Sequence, residues 1–416
     1  VPAPRSPWIT TTEAAQRLGV KRATLYAYVS RGLLRSERRP GQQESLFDRA
    51  QVEAMASATR AVGTPQSVLR FRTVATGVSS QVEGELRYRG VPLEAAVEAG
   101  SVERVAGLVL GSLAAQGFSD ADAPLPRMPR LTDAVRPAAR ALVRLPLERR
   151  VPVAVQLLAA SDPFAGDTDP DRVRGAAPAV VAGAVALASG ARVRAGATLD
   201  PLADLTLAAL GGEPGAHASE VVGVLLVTLL DHGLTASTVA ARVAASTRAG
   251  LHDCLVAAYA AMAGPLHGAA PVAAHALLAD AAGAADGSDA SGPAGTSASD
   301  AVARALRTHG VVPGFGHFLY PDGDPRAEVV LDRVRRLPGA EPVLERVEAL
   351  AGVVAERTGA LPNIDLASAA ALHALGLPAA AGEVLFQVAR SFGVAAHVVE
   401  EYAEEPLRWR GRDPSA

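Results

Sequence analysis

Sulfur, aromatic rings and long apolar runs are all scarce in this 416-residue chain, and each scarcity excludes something. The single cysteine, Cys254, cannot form an internal disulfide, and no Cys/His cluster has zinc-ligand spacing, so no metal site is expected. Aromatics are 4% of the residues and β-branched stretches are few, while Ala and Leu dominate, so the bulk is expected to be all-α. Apolar runs such as Val221 to Leu230, or the Ala-rich run from Ala176, are too short or too interrupted by Pro and Gly to span a bilayer. They read as buried helices. The start has no charged n-region leading into an apolar h-region, so a cytoplasmic protein without a membrane partner is expected. A net charge of -3 argues against coating nucleic acid along the whole surface, and any basic face must be local.

What is present divides along the chain, whose length calls for two or three domains. Residues 8 to about 58 carry a local basic excess from Arg17, Lys21, Arg22, Arg31, Arg35, Arg38 and Arg39. Thr11 to Leu18 reads as a capped helix ended by Gly19, and Ala23 to Ser30 as a second helix after a tight turn. The stretch after Gly32 reads as a wing ending at Leu46-Phe47, after which Asp48 caps a third helix running to about Ala58. This segment resembles the winged helix-turn-helix DNA-binding domains of the MerR and excisionase type. The resemblance implies DNA as a partner through residues 8–58, with Arg22, Tyr26 and Tyr28 near the binding face. The same segment also suits a protein-contact or dimer-bracing module. Beyond a linker, Ser79 to Gly90 reads as a β-hairpin turning near Gly84, and about Pro92 to Met262 as successive amphipathic helices. Residues 281–300 are Ala, Gly, Ser and Asp apart from Pro293 and Thr296, have little apolar surface, and read as a flexible surface insertion.

Five motifs carry the chemistry: Asp231-His-Gly-Leu-Thr-Ala-Ser-Thr238, Gly264-Pro-Leu-His-Gly268, Pro313-Gly-Phe-Gly-His317 with Asp324-Pro-Arg326, Leu361-Pro-Asn-Ile-Asp365, and Ala389-Arg390. Each is read as placing an acid, base or cation at a bend, where a side chain is presented to a ligand. Together they resemble citrate synthase, over about Thr73 to Arg412. The resemblance implies a citrate synthase fold: a winged helix-turn-helix domain at 1–60, a linker at 61–72, a large helical domain at 73–267 with 370–416, and a small one at 268–369.

An enzyme that enolises an acyl-CoA and forms a carbon-carbon bond needs a base for a weakly acidic methyl group, a donor for the enolate oxygen and an acid for the attacked carbonyl. By resemblance Asp365 is that base, His267 the neutral imidazole that steadies the enolate, and His317 the group that polarises the keto oxygen of oxaloacetate. A helix beginning after Gly264-Pro265 is expected to keep His267 neutral. Arg326 and Arg390 match the family's carboxylate-binding arginines, and His232 its substrate-binding histidine. Arg410 matches the arginine that reaches into the neighbouring subunit's site, which implies a homodimer. The backbone of Val311, Val312 and Gly314 is expected to cradle the adenine of the acyl-CoA, a cosubstrate rather than a bound cofactor.

Each residue has a plainer reading: His232 as a helix-end hydrogen bonder, Asp365 as the N-cap of the Ala-rich helix after it, and the arginines as ion-pair residues. His217, His252, His275, His309, His373 and His397 read as structural or solvated. Two positions depart from the family pattern. Gly233 stands where a Glu is frequent, and Phe318-Leu-Tyr-Pro321 stands where Arg or Lys commonly meets coenzyme A phosphates. The expected activity is an acyltransferase condensing acetyl-CoA with oxaloacetate to citrate and CoA. The alternatives are a 2-methylcitrate synthase using propionyl-CoA, and a DNA-binding regulator that senses oxaloacetate, citrate or acyl-CoA.

Overall fold

The computed structural model describes residues 8–18, 20–21, 24–25, 28–29, 34–37, 45–53, 55, 74–118, 123–282 and 297–409. Contacts divide the chain into two compact units, 1–72 with 410–416 and 73–409.

In the first unit, β1 (Trp8–Thr10), β2 (Ser36–Glu37) and β3 (Leu46–Asp48) form an antiparallel sheet in the order β1-β3-β2. Helix α1 (Thr11–Leu18) begins in a capping box: Glu13 N donates to Thr10 Oγ1, and Thr10 N donates to Glu13 Oε2. Residues 24–25, 28–29, 49–53 and 55 are also helical, and Asp48 Oδ1 accepts from Gln51 N as the cap expected of it. Ile9, Ala14, Leu25, Leu34, Phe47 and Val52 make a small core of their own. Tyr28 packs partly buried against that core, so the ring expected at the DNA face spends much of its surface on folding. Arg22, Tyr26 and Arg31 lie outside the described residues, as do 38–44 of the wing, with Arg38 and Arg39.

The second unit opens on the expected hairpin, β4 (Ser79–Val82) against β5 (Glu85–Tyr88), with β6 (Val91–Pro92) pairing back onto β5. Its two turn residues, Glu83 and Gly84, have φ of 54° and 82°, the left-handed pair a tight two-residue hairpin requires. Tyr88 Oη donates to Val227 O at 2.7 Å, which ties the hairpin to the helices.

All other regular structure described here is helical: α2 (Leu93–Glu98), α3 (Val102–Leu110), α4 (Arg136–Ala141), α5 (Leu147–Ala159), α6 (Pro170–Ala188), α7 (Leu202–Ala209), α8 (Ala216–Leu229), α9 (Ala236–Ser246), α10 (Leu251–Met262), α11 (Ala270–Ala282), α12 (Ala298–His309), α13 (Pro325–Val334), α14 (Glu341–Thr358), α15 (Ile364–Ala374) and α16 (Ala381–Tyr402), with one 3-10 turn at Leu142–Arg144. The expected buried helices are α6 and α8. Helix α16 is buried on nearly every side and packs against α3, α5, α6, α8, α9, α10 and α11, so it is the axis around which the bundle is built. Helices α11 to α15 pack chiefly on one another.

Two expected boundaries fall within or beside helices. Helix α11 runs to Ala282 and Ser297 caps α12, so both ends of the 281–300 stretch are helical, and its middle, 283–296, lies outside the described residues. Helix α15 continues across 369–370, where the small domain was expected to end.

Candidate active site

The frame of the site is a backbone zipper between two loops. Asn363 N donates to Gly314 O at 2.9 Å, Gly316 N to Leu361 O at 2.8 Å, and Asn363 Nδ2 to Gly316 O at 2.9 Å. Gly314 has φ of 83°, and a Cβ there would stand 2.8 Å from the Leu366 Cβ, so both the conformation and the close approach call for glycine. The zipper holds His317, at the end of one loop, beside the start of α15, which carries Asp365. The cap of α15 is Asn363, whose Oδ1 accepts from Asp365 N and Leu366 N. The plainer reading of Asp365 as the cap is thereby overturned, and its carboxylate is left for other work. That carboxylate has no side-chain hydrogen-bond partner among the described residues, and burial pushes it up to about 6 against the opposing pull of Arg326.

Three imidazoles face this frame, each held neutral. His267 lies in the turn before α11, and Ser237 N at the first turn of α9 donates to its Nε2 at 3.3 Å, with Ser237 Oγ 2.8 Å from the same nitrogen. An acceptor role for Nε2 puts the ring proton on Nδ1, an assignment that rests on those partners. Burial first, and the Arg390 charge second, bring His267 down to about 4. The helix whose N-terminus touches the ring is α9 rather than α11, which corrects the expectation that the helix following Gly264-Pro265 does this. His317 Nδ1 accepts from Leu319 N at 3.2 Å, which leaves its proton on Nε2, and burial followed by Arg326 lowers its pKa. His232 is buried with Nε2 2.8 Å from Tyr320 Oη, its ring edge-on to His317 at 5.3 Å. Burial, with Arg326 and Arg390, brings it down to about 2.

Two buried guanidiniums complete the site. Arg326 is 3% exposed and forked onto Asp324, with Nε to Oδ1 at 2.9 Å and Nη2 to Oδ2 at 2.7 Å. Asp324 also caps α13 through Arg326 N and accepts from Ile364 N at 3.0 Å, so one carboxylate aligns Arg326 with the helix that bears Asp365. Arg390 is 1% exposed, donates to Leu229 O at 2.9 Å and Thr235 Oγ1 at 3.2 Å, and lies over the Phe386 ring at 4.6 Å. No carboxylate among the described residues forms an ion pair with it. The cost of its burial is offset in part by the charge of the nearby Asp231, and an anionic ligand would offset more of that cost.

The structure thus brings His232, His267, His317, Arg326, Asp365 and Arg390 into one region. Arg390 sits in the middle of α16, so the reading that every motif lies at a bend fails for it: helix packing, not a turn, aims its side chain. Of the residues whose backbone is expected to cradle the adenine, Val311 is exposed and Val312 has its side chain buried in the core. Arg410 lies outside the described residues. Sequence reasoning missed Tyr320, Asp324, Ser237 and Asn363 as partners. Ser237, Asp324 and Asn363 stood inside quoted motifs, and for Asp324 and Asn363 a polar residue just before a helix start was the available signal. Among the histidines left aside, His275 and His373 stack at 3.8 Å between α11 and α15, and His397 is fully buried against Asp231.

A family model described as the citrate synthase C-terminal domain matches residues 66–411, and one described as a helix-turn-helix domain matches residues 8–60. The chain is 32% identical to a citrate synthase of Haloferax volcanii over 47% of its own length and 50% of the relative's. It is 32% identical to a 2-methylcitrate synthase of Shewanella oneidensis over 46% and 49%, so the chain spans about half the length of these relatives. A citrate synthase of Deinococcus radiodurans matches at 28% over 76% of this chain and 86% of the relative. A solved structure of citrate synthase from Thermoplasma acidophilum, in a ternary complex with carboxymethyl coenzyme A and oxaloacetate, aligns with a TM-score of 0.63. It shares 24% identity and covers 82% of this chain and 92% of that one, a likeness that speaks for the fold.

Proposed function

We propose that this chain, which belongs to the citrate synthase family, condenses acetyl-CoA with oxaloacetate and hydrolyses the resulting thioester to citrate and CoA. The observation that carries this reading is the complementary state of its groups: a carboxylate raised to about 6, imidazoles held neutral, and a buried Arg390 that makes no direct ion pair among the described residues. In the proposed reaction Asp365 takes a proton from the thioester's methyl group. His267 Nδ1-H donates to the thioester oxygen, which gains negative charge as the enolate forms. The nucleophilic carbon then attacks the keto carbon of oxaloacetate, and His317 Nε2-H protonates its oxygen. Arg326 and Arg390 bind the two carboxylates, with His232 fixed by Tyr320 between them and the keto group. Water finally cleaves the citryl thioester and releases free CoA. The segment 268–369 is proposed to close over the substrates.

Propionyl-CoA adds one methylene, worth about 1 to 3 kcal/mol in an apolar pocket, so a 2-methylcitrate synthase is the neighbouring proposal. The experiment is release of free CoA thiol from each acyl-CoA with oxaloacetate, with Asp365→Ala as control. Turnover lost in the control supports the synthase, and the ratio of rates chooses the substrate. The helix-turn-helix match at residues 8–60 motivates a second reading, a DNA-binding protein that senses oxaloacetate or an acyl-CoA through this site. Oxaloacetate binding without turnover of either thioester would favour it.

A further inference from the structure

A chain of buried charged groups runs from the substrate histidine's own turn to the C-terminal segment. Asp231, next to His232 in sequence, is fully buried. Its Oδ2 accepts from Ser79 Oγ and from Gly233 N at 2.9 Å, and its Oδ1 is 3.1 Å from His397 Nε2. On the far side of that ring, His397 Nδ1 is 3.0 Å from Arg242 Nη1. Arg242, 1% exposed, donates through Nε to Glu401 Oε2 at 2.9 Å and through Nη1 to Glu400 at 2.8 Å. Glu401 also receives Arg408 Nε at 2.6 Å and Trp409 Nε1 at 2.9 Å, so its carboxylate is the socket in which the C-terminal segment sits. Leu407 N donates to Ser246 O at 2.8 Å and fixes that segment on the end of α9.

Packing alone does not account for this chain of charges. The surrounding core is Ala, Leu and Val, and apolar residues of similar volume are often as stabilising as a buried ion pair, whereas removing one partner is strongly destabilising. What a fully satisfied polar network adds is a unique arrangement. We propose that Asp231, His397, Arg242 and Glu401 form a buried positioning relay. It couples the seating of residues 407–409 to the geometry of His232 in the same subunit, so that a lifted tail loosens the substrate site. The coupling itself is a property of the chain; its consequence for oxaloacetate rests on the function proposed above.

The test uses the full chain, with Arg408→Ala to unseat the tail from a position whose side chain is 12% exposed and Glu401→Gln to empty the socket. Amide hydrogen exchange is followed without ligand in peptides covering 229–236 and, as an internal control, 176–186 in α6. Both variants are expected to speed exchange at 231–235 by about tenfold while α6 is unchanged, a local opening that general destabilisation would not produce. Oxaloacetate binding by calorimetry is expected to weaken by about fivefold. Exchange at 231–235 that stays at the wild-type rate in Arg408→Ala, while the tail itself exchanges faster, would overturn the relay. A wild-type chain that does not bind oxaloacetate would count against the proposed function, and the exchange result would still decide the relay.

Discussion

Burial lifts the Asp365 carboxyl from 3.8 to about 6, and that shift has consequences for both activity and stability. As a base it works only when ionised, so kcat/KM should fall on the acid side with a limb near pH 6, measurable in the thiol-release assay. For stability the sign is the reverse of a salt-bridged carboxylate. Between the unfolded and folded values the folded chain holds the proton more tightly, so stability declines as pH rises through this window, and the full cost is present above it. Asp365→Asn removes the cost. It should raise stability by on the order of 2 to 3 kcal/mol at pH 8, fading toward pH 4, and lower turnover by about 10²- to 10⁴-fold. Urea unfolding at the two pH values checks this, and a variant less stable than wild type at pH 8 would refute it. Asp231 is the opposite case: burial resists its ionisation, but His397, Arg390 and Ser79 hold it at about 2, so its contribution is complete above 3.8 and lost as pH falls toward 2. At this scale the sequence made His232, His267, His317, Arg326, Asp365 and Arg390 legible because each sits in a recognisable motif. It hid Tyr320, Ser237 and His397, whose partners lie 30 to 166 residues away and are defined only by packing.

Helix α16 shows how an element, rather than a residue, delivers chemistry. One of its turns presents Arg390 toward the site, and the next crosses the chain at Leu230 and Asp231, where a Cβ on Gly393 would lie 2.3 Å from Leu230 O and 2.6 Å from Asp231 Oδ1. Alanine has a helix propensity about 1 kcal/mol better than glycine, so an exposed helix would gain from the substitution. Here the clash with backbone decides. Gly393→Ala is expected to destabilise the chain by about 1 to 3 kcal/mol and to raise the oxaloacetate KM, because the displaced group is the anchor of the His232 turn. Thermal unfolding and steady-state kinetics read the two effects, and a variant that melts higher with unchanged KM would show that the crossing relaxes freely. Elements were the most legible level. The Glu83-Gly84 turn and the long Ala-rich helices follow from local residues, whereas Arg390 was misread as lying at a bend because nothing local distinguishes a packed helix position from a loop. The ends of the 281–300 stretch were misread for a related reason: Ser297 caps α12, a stronger signal than the composition around it.

At the scale of the whole molecule, the two family matches on one chain agree with the winged helix-turn-helix and citrate synthase readings of its sequence. The choice between acetyl and propionyl groups was not legible, since one methylene leaves no motif. Assembly is testable through Arg410, which by sequence resemblance is the arginine that reaches into a neighbouring subunit's site. A two-fold dimer in which each chain lends an arginine to the other has a specific signature. An Asp365→Ala chain lacks the base in its own site but still lends Arg410, and an Arg410→Ala chain keeps its base but lends nothing. Each homodimer is inactive. In a mixed dimer one site has both defects and the other has neither. Random reassortment makes half of the dimers mixed, each with one of two sites intact, so the mixture should recover about a quarter of wild-type turnover per chain. If Arg410 serves its own subunit, no mixed dimer contains an intact site and the mixture stays as inactive as its parents. Co-refolding the two variants and assaying thiol release distinguishes these arrangements, with chains that never exchange excluded by differential tagging and pull-down.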